Sequence, residues 1–447
     1  MKPIFEPERL FLNDLLNIDL PKWCWRDGSK IYLNGDKRDL IVKFKVEGEK
    51  AIKQIDRIYP KLIERKQLTF QEEVNRMSDR LDYLEKESIE NTIKFIQERP
   101  GYELRVSYSG GKDSDATIHI MNKVFEKLGI KSNTVKVDFF NTTNDTAQTY
   151  LHVKKCVPSK RLEIHNPEIG WYQWLKDEKN YFLPTILTRS CCAKFKEGSL
   201  KKILDKNTNY ILFLGVRKQE SVKRSKYDWD INEAWIRNNP DKPLNVPSNW
   251  KRFAPLINFS DYEIWLYIFR ENIEVNPMYE LGFNRTGCLI CPYSSSYNDL
   301  LVKKYYPFQW NRWKGLLTIN YDMYEVQQRD KWTLQEFIDE GRWKGAISKD
   351  QMLLTKSPTP DNIQNFAKFK GISYELAEKY FNRKCECGKR LNVTEVGMFL
   401  KLFGRFEGID DNRQYLCRKC MCEKLGITKE QYLNKIREFR NDGCPLL

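Results

Sequence analysis

Apolar runs alternate with amphipathic stretches through the middle of this 447-residue chain. Four short runs rich in Val, Ile and Phe predict β-strands, at 103–109, 134–140, 161–165 and 210–216. Between the first two runs, apolar residues recur at helical spacing and predict a helix: Ala116, Ile118, Met121, Val124, Phe125 and Leu128. Strands alternating with helices in this way predict an α/β fold whose parallel sheet is covered on both faces.

The flanking regions have different patterns, which predict four domains. Residues 1–99 combine short apolar runs with turn signals and then, from Thr69 to Arg99, a charged proline-free stretch, so we expect an α+β module that leads into one or two long helices. Residues 100–296 contain the predicted parallel sheet. Residues 297–380 predict a helical extension, and residues 381–447 predict a small cysteine-rich domain.

Net charge and cysteine content indicate which binding partners and which cellular compartment to expect. A net charge of +15 favours polyanionic partners such as nucleotides, DNA or tRNA. No run approaches the roughly 20 apolar residues that span a bilayer, so we expect a cytoplasmic protein with no membrane partner. In a reducing compartment, twelve cysteines are more useful for binding metals or for chemistry than for disulfides.

A polar loop follows the first predicted strand and opens the helix after it. It consists of Ser109, Gly110, Gly111, Lys112, Asp113 and Ser114. Backbone N–H groups, hydroxyl groups and one lysine at the positive end of a helix dipole can together bind a pyrophosphate or a sulfate. The alternative is an ordinary capped turn, although capping needs only one of these polar residues. The spacing excludes both the Walker A and the GxGxxG patterns.

This loop, "SGGKDS", resembles the PP-loop of the adenine nucleotide alpha hydrolase superfamily, and in particular its phosphoadenosine phosphosulfate (PAPS) reductase branch. The similarity extends over about 101–296 and includes "GVRKQESVKR", which supplies Gly215, Arg217, Glu220, Ser221 and Arg224. The resemblance implies a Rossmann-like sheet that binds ATP or adenylyl sulfate with Mg²⁺. Independently of the family, guanidinium groups match phosphate oxygens in pairs, and Glu220 could orient an arginine.

The expected roles within this site follow from the same resemblance. Lys112, Asp113, Arg217 and Arg224 are the candidate catalytic residues, with Asp113 as a candidate Mg²⁺ ligand. The family places adenosine contacts after the second strand, where this chain has Asn141, Thr143 and Asp145.

Two cysteine pairs lie inside the family-like region. Cys191 and Cys192 are adjacent, and Cys288 and Cys291 form a C-x-x-C pair. Adjacent cysteines rarely converge on one zinc ion but can bind different irons, and the spacing resembles the ligand set of a 4Fe-4S cluster in the adenylyl-sulfate-reducing branch and in related sulfurtransferases. Zinc and unligated core thiols are the alternatives. Lys194 and Lys196 either add positive charge near the cluster or form a solvated helix face.

The tail carries two further cysteine knuckles. Cys385, Cys387, Cys417 and Cys420 are the predicted ligands of a structural Zn²⁺, with Cys422 as a fifth candidate. The isolated thiols Cys24 and Cys156 and the three histidines, His119, His152 and His165, are expected to be structural.

One departure from the family changes the expected reaction. The reductases carry a mobile C-terminal thiol motif that this chain lacks, and Cys444 is a poor substitute. We therefore expect an Fe-S dependent enzyme of adenylation and sulfur transfer, acting on nucleic acid or a small acceptor with a sulfur donor. The alternatives are a true reductase that uses a thiol reductant, and a nucleic-acid-binding regulator that uses the aromatic and basic stretch from Tyr305 to Lys314.

Overall fold

The computed structural model of the chain describes residues 1–197, 204–221, 224–244, 246–345, 359–391, 393–403 and 414–441. Two compact units are present, the first formed by residues 1–178 and 190–310 and the second by residues 179–189 and 311–447. The four predicted domains stay a prediction. Within the described residues, no helix is both long enough and apolar enough to cross a membrane.

Ten strands form two sheets. They are β1 Lys2–Pro3, β2 Trp25–Asp27, β3 Lys30–Tyr32, β4 Leu40–Glu47, β5 Lys50–Asp56, β6 Glu103–Tyr108, β7 Lys136–Phe140, β8 Leu162–His165, β9 Tyr210–Leu214 and β10 Trp250–Phe253. The α-helices of the first unit are Glu6–Leu16, Ile58–Glu64, Phe70–Arg76, Ser78–Gln97, Lys112–Leu128, Ala147–Cys156, Trp171–Asp177, Ser190–Cys192, Ile231–Asn238, Asp261–Arg270 and Ser296–Tyr305. Helix Pro307–Met323 is followed by Val326–Asp330, Leu334–Asp339, Pro360–Lys370, Tyr374–Phe381, Val393–Phe403, Arg418–Leu425 and Lys429–Asn441.

The N-terminal region forms an antiparallel sheet in the order β1-β2-β3-β4-β5. Helix Ile58–Glu64 follows it, and helices Phe70–Arg76 and Ser78–Gln97 then form the stretch from Thr69 to Arg99, as its pattern predicted. Helix Phe70–Arg76 begins with a capping box, in which the Thr69 hydroxyl accepts from the Glu72 N–H and the Glu72 carboxylate accepts from the Thr69 N–H. The prediction of a strand-containing module that leads into long helices is therefore confirmed.

The second sheet is entirely parallel, in the order β10-β9-β6-β7-β8. The four predicted strands β6 to β9 are all present, and the α/β fold class is confirmed. Strand β10 was not predicted, because Lys251 and Arg252 interrupt its apolar pattern. Chain order reverses at β6, with β7 and β8 on one side and β9 and β10 on the other. In such sheets ligands bind beyond the carboxyl end of the strand at this point, and the polar loop lies there.

Helix Lys112–Leu128 packs its apolar face into the main core. Ala116, Met121, Val124 and Phe125 are fully buried, as the spacing predicted. Ile118 and Leu128 are only partly buried, whereas Ile120, which was not among the predicted core residues, is fully buried. The helix ends at Gly129, which adopts φ +67°.

The aromatic and basic stretch from Tyr305 to Lys314 is largely a packing element. Trp313 is fully buried, and Tyr306 and Trp310 are each 7% exposed. Phe308, at 75% exposed, is the large ring of this stretch that faces solvent. Because stacking on unpaired bases needs accessible rings, the burial of the two tryptophans weakens the prediction of a nucleic-acid platform here.

Candidate active site

The polar loop is held in shape by its own serine. The Ser114 hydroxyl accepts hydrogen bonds from the backbone N–H groups of Ser109 and Gly111, at 3.3 and 3.1 Å, and donates to the Gly111 carbonyl at 2.7 Å. Gly110 adopts φ +68°, a left-handed conformation that favours glycine. The N–H groups of Asp113 and Ser114 lie in the first helical turn, where no intrahelical carbonyl can accept from them. The loop thus presents free donors at a helix N-terminus.

Glycines allow other segments to approach the loop closely. A Cβ on Gly111 would lie 2.8 Å from Thr286 Oγ1 and 3.2 Å from the Tyr279 hydroxyl oxygen. A Cβ on Gly215, which follows β9, would lie 2.9 Å from the carbonyl oxygen of Asp113. Side chains at these two positions would therefore push the neighbouring segments away from the loop.

Four charged side chains form a cluster beside the loop, in which the two cations are buried and the two carboxylates are partly buried. The Arg217 guanidinium donates from Nε to Asp113 at 2.6 Å and from Nη2 to Asp261 at 2.9 Å. The Lys112 ammonium lies 2.9 Å from Asp113 and 3.1 Å from Asp261. Arg217 Nη1 is buried and has no hydrogen-bond partner among the described residues.

These ion pairs fix the charge states of the cluster. Burial acts to lower the pKa of Lys112, but the carboxylates of Asp113 and Asp261 outweigh burial and raise it. Burial acts to raise the pKa values of both aspartates, but their cationic neighbours, beginning with Lys112, hold them below the usual range. The two cations and two carboxylates are therefore all charged near neutral pH.

The remaining residues of the arginine motif lie around Glu220. Its carboxylate accepts from the Arg217 backbone N–H at 2.9 Å and forms an ion pair with Arg224. Ser221 is exposed, and its hydroxyl accepts from the Arg224 N–H at 3.2 Å. Glu220 thus contacts the backbone of Arg217 and the guanidinium of Arg224, and its role in orienting an arginine stays a prediction.

A segment at 276–291, called the clamp segment below, joins the loop to the second cysteine pair. Asn276 donates from its side-chain amide to the Gly110 carbonyl at 3.0 Å. The Tyr279 hydroxyl accepts from the Lys112 backbone N–H at 3.0 Å, and burial raises the pKa of Tyr279 to about 12. The phenol therefore keeps its own proton available for donation. The clamp segment continues through Thr286 to Cys288 and Cys291.

The loop after β7 forms hydrogen bonds with the C-x-x-C turn. The Asn144 side chain donates to the Ile290 carbonyl at 2.8 Å and accepts from the Ile290 N–H at 3.3 Å, and the Asn144 carbonyl accepts from the Leu289 N–H at 2.6 Å. Thr142 Oγ1 lies 3.6 Å from Cys288 Sγ. This loop, which was expected to contact adenosine, thus supports the cysteine turn.

The three residues predicted to contact adenosine have partners within the protein. Asn141 donates to Asn166 at 2.9 Å, the Thr143 hydroxyl accepts from the Trp171 N–H at 2.7 Å, and Asp145 accepts from the Thr142 N–H and hydroxyl at 2.9 and 2.7 Å. Their contact with a nucleotide stays a prediction.

The two family-like cysteine pairs come together in the first unit. The charges of Cys192, Cys288 and Cys291 all act on Cys191, and the hydrogen bond with Cys192 is the largest cause of its raised pKa. Among the described residues, no three of these four thiols lie within 4.8 Å of one another. This spread is wider than a single tetrahedral ion requires and is compatible with thiolates that bind different irons of one cluster.

The two neighbouring lysines have different surroundings. Lys194 pairs with Glu178 at 2.8 Å. Lys196 is exposed as a whole residue, but its ammonium lies 3.6 Å from where a Cβ on Gly287 would be, next to Cys288. The Cys288 charge raises the pKa of Lys196 more strongly than burial lowers it. Both lysines follow helix Ser190–Cys192 in the π-turn Ala193–Glu197.

A second group of four thiols lies in the tail. The Sγ atoms of Cys385, Cys387, Cys417 and Cys420 all lie within 4.8 Å of one another, with separations of 3.7 Å between Cys387 and Cys417 and 3.6 Å between Cys417 and Cys420. The first knuckle turns at Gly388, whose N–H donates to the Cys385 carbonyl at 2.8 Å. The structure therefore brings together the four predicted residues.

A buried polar network behind the loop was not predicted from the sequence. His152 Nε2 lies 3.1 Å from Asp115 Oδ1, which also accepts from the Tyr108 hydroxyl, and Cys156 Sγ lies 3.5 Å from His152 Nδ1. Burial acts to lower the pKa of His152, but the hydrogen bond to Asp115 overcomes it and raises the pKa to about 10. These residues join β6 to two helices of the first unit.

Comparison with known proteins identifies relatives of the central region. Residues 103–294 match the family model described as the phosphoadenosine phosphosulfate reductase domain. An uncharacterized protein of Methanocaldococcus jannaschii is 28% identical over 286 residues, which cover 62% of this chain and 64% of that protein. The adenosine 5'-phosphosulfate reductase of Anoxybacillus flavithermus is 23% identical over 175 residues, which cover 38% of this chain and 64% of the enzyme. The chain thus spans less than two-thirds of the length of both relatives.

Among solved structures, the U34-tRNA thiolase NcsA from Methanococcus maripaludis, solved with its 4Fe-4S cluster, is similar at 16% identity and a TM-score of 0.31. The similarity covers 51% of this chain and 75% of the thiolase.

Proposed function

We propose that this chain, whose residues 103–294 match the PAPS reductase domain, binds an adenylyl nucleotide on the loop from Ser109 to Ser114 and uses it in a sulfur-transfer reaction that depends on a 4Fe-4S cluster. ATP or adenylyl sulfate, with Mg²⁺, is the proposed nucleotide. Cys191, Cys192, Cys288 and Cys291 are the proposed ligands of the cluster.

One observation carries the proposal: the clamp segment contacts the polar loop and also contains the second cysteine pair. Asn276 and Tyr279 hydrogen-bond the loop, and Thr286, two residues before Cys288, packs against Gly111. A nucleotide on the loop and a metal centre on the thiols would therefore be held by one continuous stretch of chain. This arrangement suits a reaction between the nucleotide and sulfur chemistry at the cysteines.

The residues beside the loop fit an anionic ligand. Arg217 Nη1 is buried without a hydrogen-bond partner in the described part of the chain, and an orphaned guanidinium N–H is costly unless an acceptor reaches it. Phosphate or sulfate oxygens would satisfy this group, with Lys112 as the fixed cation. Mg²⁺ bound with the nucleotide would draw Asp113 away from its present cationic partners.

In the adenylation reaction, an acceptor oxygen attacks the α-phosphorus of ATP and the bond to the β-phosphate oxygen breaks. Lys112 and the helix N-terminus stabilise the charge that develops on the departing pyrophosphate. A sulfur nucleophile then displaces AMP, so that a carbon–sulfur bond replaces the carbon–oxygen bond of the adenylated acceptor. Glu220 holds Arg217 and Arg224 in position during both steps. A cluster at the thiols would supply an iron site for sulfur delivery or electron transfer.

A reductase that releases sulfite from adenylyl sulfate is the second candidate. The similarity to an adenosine 5'-phosphosulfate reductase favours it. This reaction needs two electrons and a thiol that attacks the sulfonyl sulfur, which a thiol reductant would supply. Cys444, the candidate thiol of this chain, lies outside the described residues.

We also propose a structural Zn²⁺ on the tail thiols. Four sulfur ligands at about 2.3 Å from one tetrahedral ion lie about 3.8 Å apart. The measured separations of 3.6 and 3.7 Å are close to this value. Cys385 and Cys417 are buried, so the pair would anchor an ion against the small apolar core of the tail.

The proposal is tested by anaerobic purification with iron and zinc counting, followed by two activity assays. Pyrophosphate release from ATP is measured over a panel of DNA, tRNA and small acceptors, and sulfite release is measured from adenylyl sulfate and PAPS. We expect about four irons per chain and acceptor-dependent pyrophosphate release. Sulfite release without pyrophosphate release would favour the reductase instead.

Two substitutions assign the activity to the site. Arg217→Lys keeps the charge but loses the planar fork, so we expect nucleotide affinity to fall at least tenfold. Arg252→Lys is the matched control, because Arg252 is a partly buried arginine on β10 that bonds Asn232, away from the loop. A protein that contains no iron and binds neither ATP nor adenylyl sulfate would contradict the proposed function.

A further inference from the structure

The clamp segment has an irregular middle that needs support from elsewhere. Between the short 3₁₀ turn Pro277–Tyr279 and helix Ser296–Tyr305 it contains no regular element, and Gly282 adopts φ +103°. Backbone groups in such a stretch must find partners outside it if they are buried. The position of Thr286 and Cys288 therefore depends on what holds residues 282–284.

Arg26, from strand β2 of the N-terminal sheet, provides this support. Its Nη2 donates to the Gly282 carbonyl at 2.6 Å and to the Asn284 side-chain oxygen at 2.7 Å. The Arg26 side chain is fully buried, and its guanidinium lies 4.4 Å from the centre of the Tyr297 ring. One arginine thus fixes two points of the clamp segment and packs on the helix that follows it.

A fully buried carboxylate holds Arg26 in this orientation. Glu8 accepts from Arg26 Nε at 2.6 Å and also pairs with Lys2, which is itself buried. Burial acts to raise the pKa of Glu8, but Arg26 and Lys2 outweigh it, so the carboxylate stays ionised. The Glu8 side chain also packs on Gly282, where a Cβ would lie 3.0 Å from Glu8 Cδ.

A buried ion network contributes little net free energy to folding, because desolvation offsets much of the Coulombic attraction. Its geometric effect is stronger, since a guanidinium fork with a fixed carboxylate partner sets the distance and angle of what it binds. Here the bound groups belong to the stretch that contacts the nucleotide loop and carries two proposed cluster ligands.

The N-terminal module also contacts Tyr262, which lies next to the charged cluster beside the polar loop. Gly35 lies directly against the Tyr262 ring, because a Cβ on Gly35 would lie 2.0 Å from Tyr262 Cε2. The Trp25 ring packs edge-on against the Tyr262 ring, with 4.8 Å between the ring centroids. Tyr262 follows Asp261, the carboxylate that pairs with Lys112 and Arg217.

We propose that Arg26 is a positioning residue of the active site, and that the N-terminal module is part of the catalytic unit because it sets the place of the clamp segment between the nucleotide loop and the cysteines. This inference rests on the proposed function, and no part of it requires Arg26 to touch a nucleotide or a metal.

The test uses the full chain with three substitutions. Arg26→Lys keeps the charge and loses the fork, and Asn284→Ala removes only one acceptor on the clamp segment. Cys24→Ala is the matched control, because Cys24 is a fully buried neighbour of β2 that contacts Pro21 and not the clamp segment. Melting temperature, affinity for ATP and for adenylyl sulfate, iron content, and hydrogen exchange of the amides at 276–291 are measured for each.

We expect Arg26→Lys and Asn284→Ala each to weaken nucleotide affinity by up to about tenfold, because nucleotide binding must then supply the free energy that the lost hydrogen bond contributed to ordering the clamp segment, and to speed amide exchange at 276–291. Cys24→Ala should change neither quantity, whatever its effect on melting temperature. Nucleotide affinity or exchange that stays unchanged in both test variants overturns the inference.

Failure of the proposed function would be seen separately. If the unmodified chain binds neither ATP nor adenylyl sulfate, the proposed function is contradicted, and the inference is then decided by amide exchange and iron content. Faster exchange together with lower iron content in Arg26→Lys would support the positioning role on its own. Unchanged values of both would overturn it.

Discussion

The side-chain amide of Asn144 donates a hydrogen bond to the carbonyl of Ile290, 2.8 Å away and 146 positions further along the chain. The Asn144 side-chain oxygen also accepts from the Ile290 N–H, and the Asn144 backbone carbonyl accepts from the Leu289 N–H, so Asn144 holds the turn between Cys288 and Cys291. Asn144 is 5% exposed, so water cannot replace the two side-chain hydrogen bonds to Ile290 when the side chain is removed.

We expect Asn144→Ala to lower the iron content of anaerobically purified protein, because the C-x-x-C turn loses the partner that fixes its shape. Iron and protein are counted in the same samples. Asn141→Ala is the control, since Asn141 lies in the same loop and bonds Asn166 at the surface. Equal iron content in the two variants would contradict the prediction.

The adjacent lysines give a matched pair of substitutions. Lys196→Ala removes the ammonium beside Cys288 and should reduce turnover at least tenfold, because positive charge near the thiols favours an anionic nucleotide and anionic sulfur. Lys194→Ala removes the ion pair with the exposed Glu178 carboxylate and should leave turnover unchanged. Steady-state rates at saturating nucleotide compare the two, and similar losses in both would count against a specific role of Lys196.

The tail thiols predict a selective loss of zinc. Cys387→Ser should reduce zinc from about one ion per chain to near zero, because the separations among Cys385, Cys387, Cys417 and Cys420 suit one tetrahedral ion. Cys422→Ser should retain zinc, since Cys422 Sγ contacts the Thr428 carbonyl, at 3.9 Å, instead of the group. Metal analysis of both variants checks this, and zinc loss in Cys422→Ser would show that the ligand set is different.

The buried pair of His152 and Asp115 predicts a dependence of stability on pH. The pKa of His152 is about 10 in the folded protein, above the value of about 6.5 for an unfolded chain. The pair therefore stabilises the fold fully below about pH 6.5, and this contribution is lost as the pH rises towards 10.

Thermal denaturation between pH 6 and 10 measures this effect. We expect the melting temperature to fall over this range, and His152→Gln to fall less steeply than the unmodified protein. His119→Gln is the control, because His119 is partly exposed and lies in a surface ion cluster with Glu271. A slope that His152→Gln leaves unchanged would show that other groups control the dependence.

The sequence predicted those elements of the protein whose signals come from residues close together in the chain. Strands β6 to β9 are short runs rich in Val, Ile and Phe, and the loop from Ser109 to Ser114 is a local motif, so both could be found from short windows. Strand β10 was missed because Lys251 and Arg252 break its pattern. It lies at the edge of the sheet, where β9 provides its only pairing partner among the described strands.

The parts that sequence missed depend on distant contacts. Tyr279 binds the Lys112 N–H across 167 positions, and Asp261 meets Lys112 and Arg217 only because the sheet brings three loops to one edge. Both side chains lie within the range of about 101–296 that resembles the family, but nothing local marks either of them as part of the site. Asn144 was passed over in favour of its neighbours Asn141 and Asp145 for the same reason.

If the clamp segment serves both a nucleotide and a metal centre, as proposed, its shared use has a thermodynamic consequence. When one piece of chain contributes to two binding sites, each ligand lowers the cost of ordering that chain for the other, and the coupling is equal in both directions. A metal centre that tightens nucleotide binding tenfold must itself be bound tenfold more tightly when nucleotide is present. Loss of the metal centre by oxidation would then release nucleotide, so that a damaged enzyme would stop consuming its activated substrate.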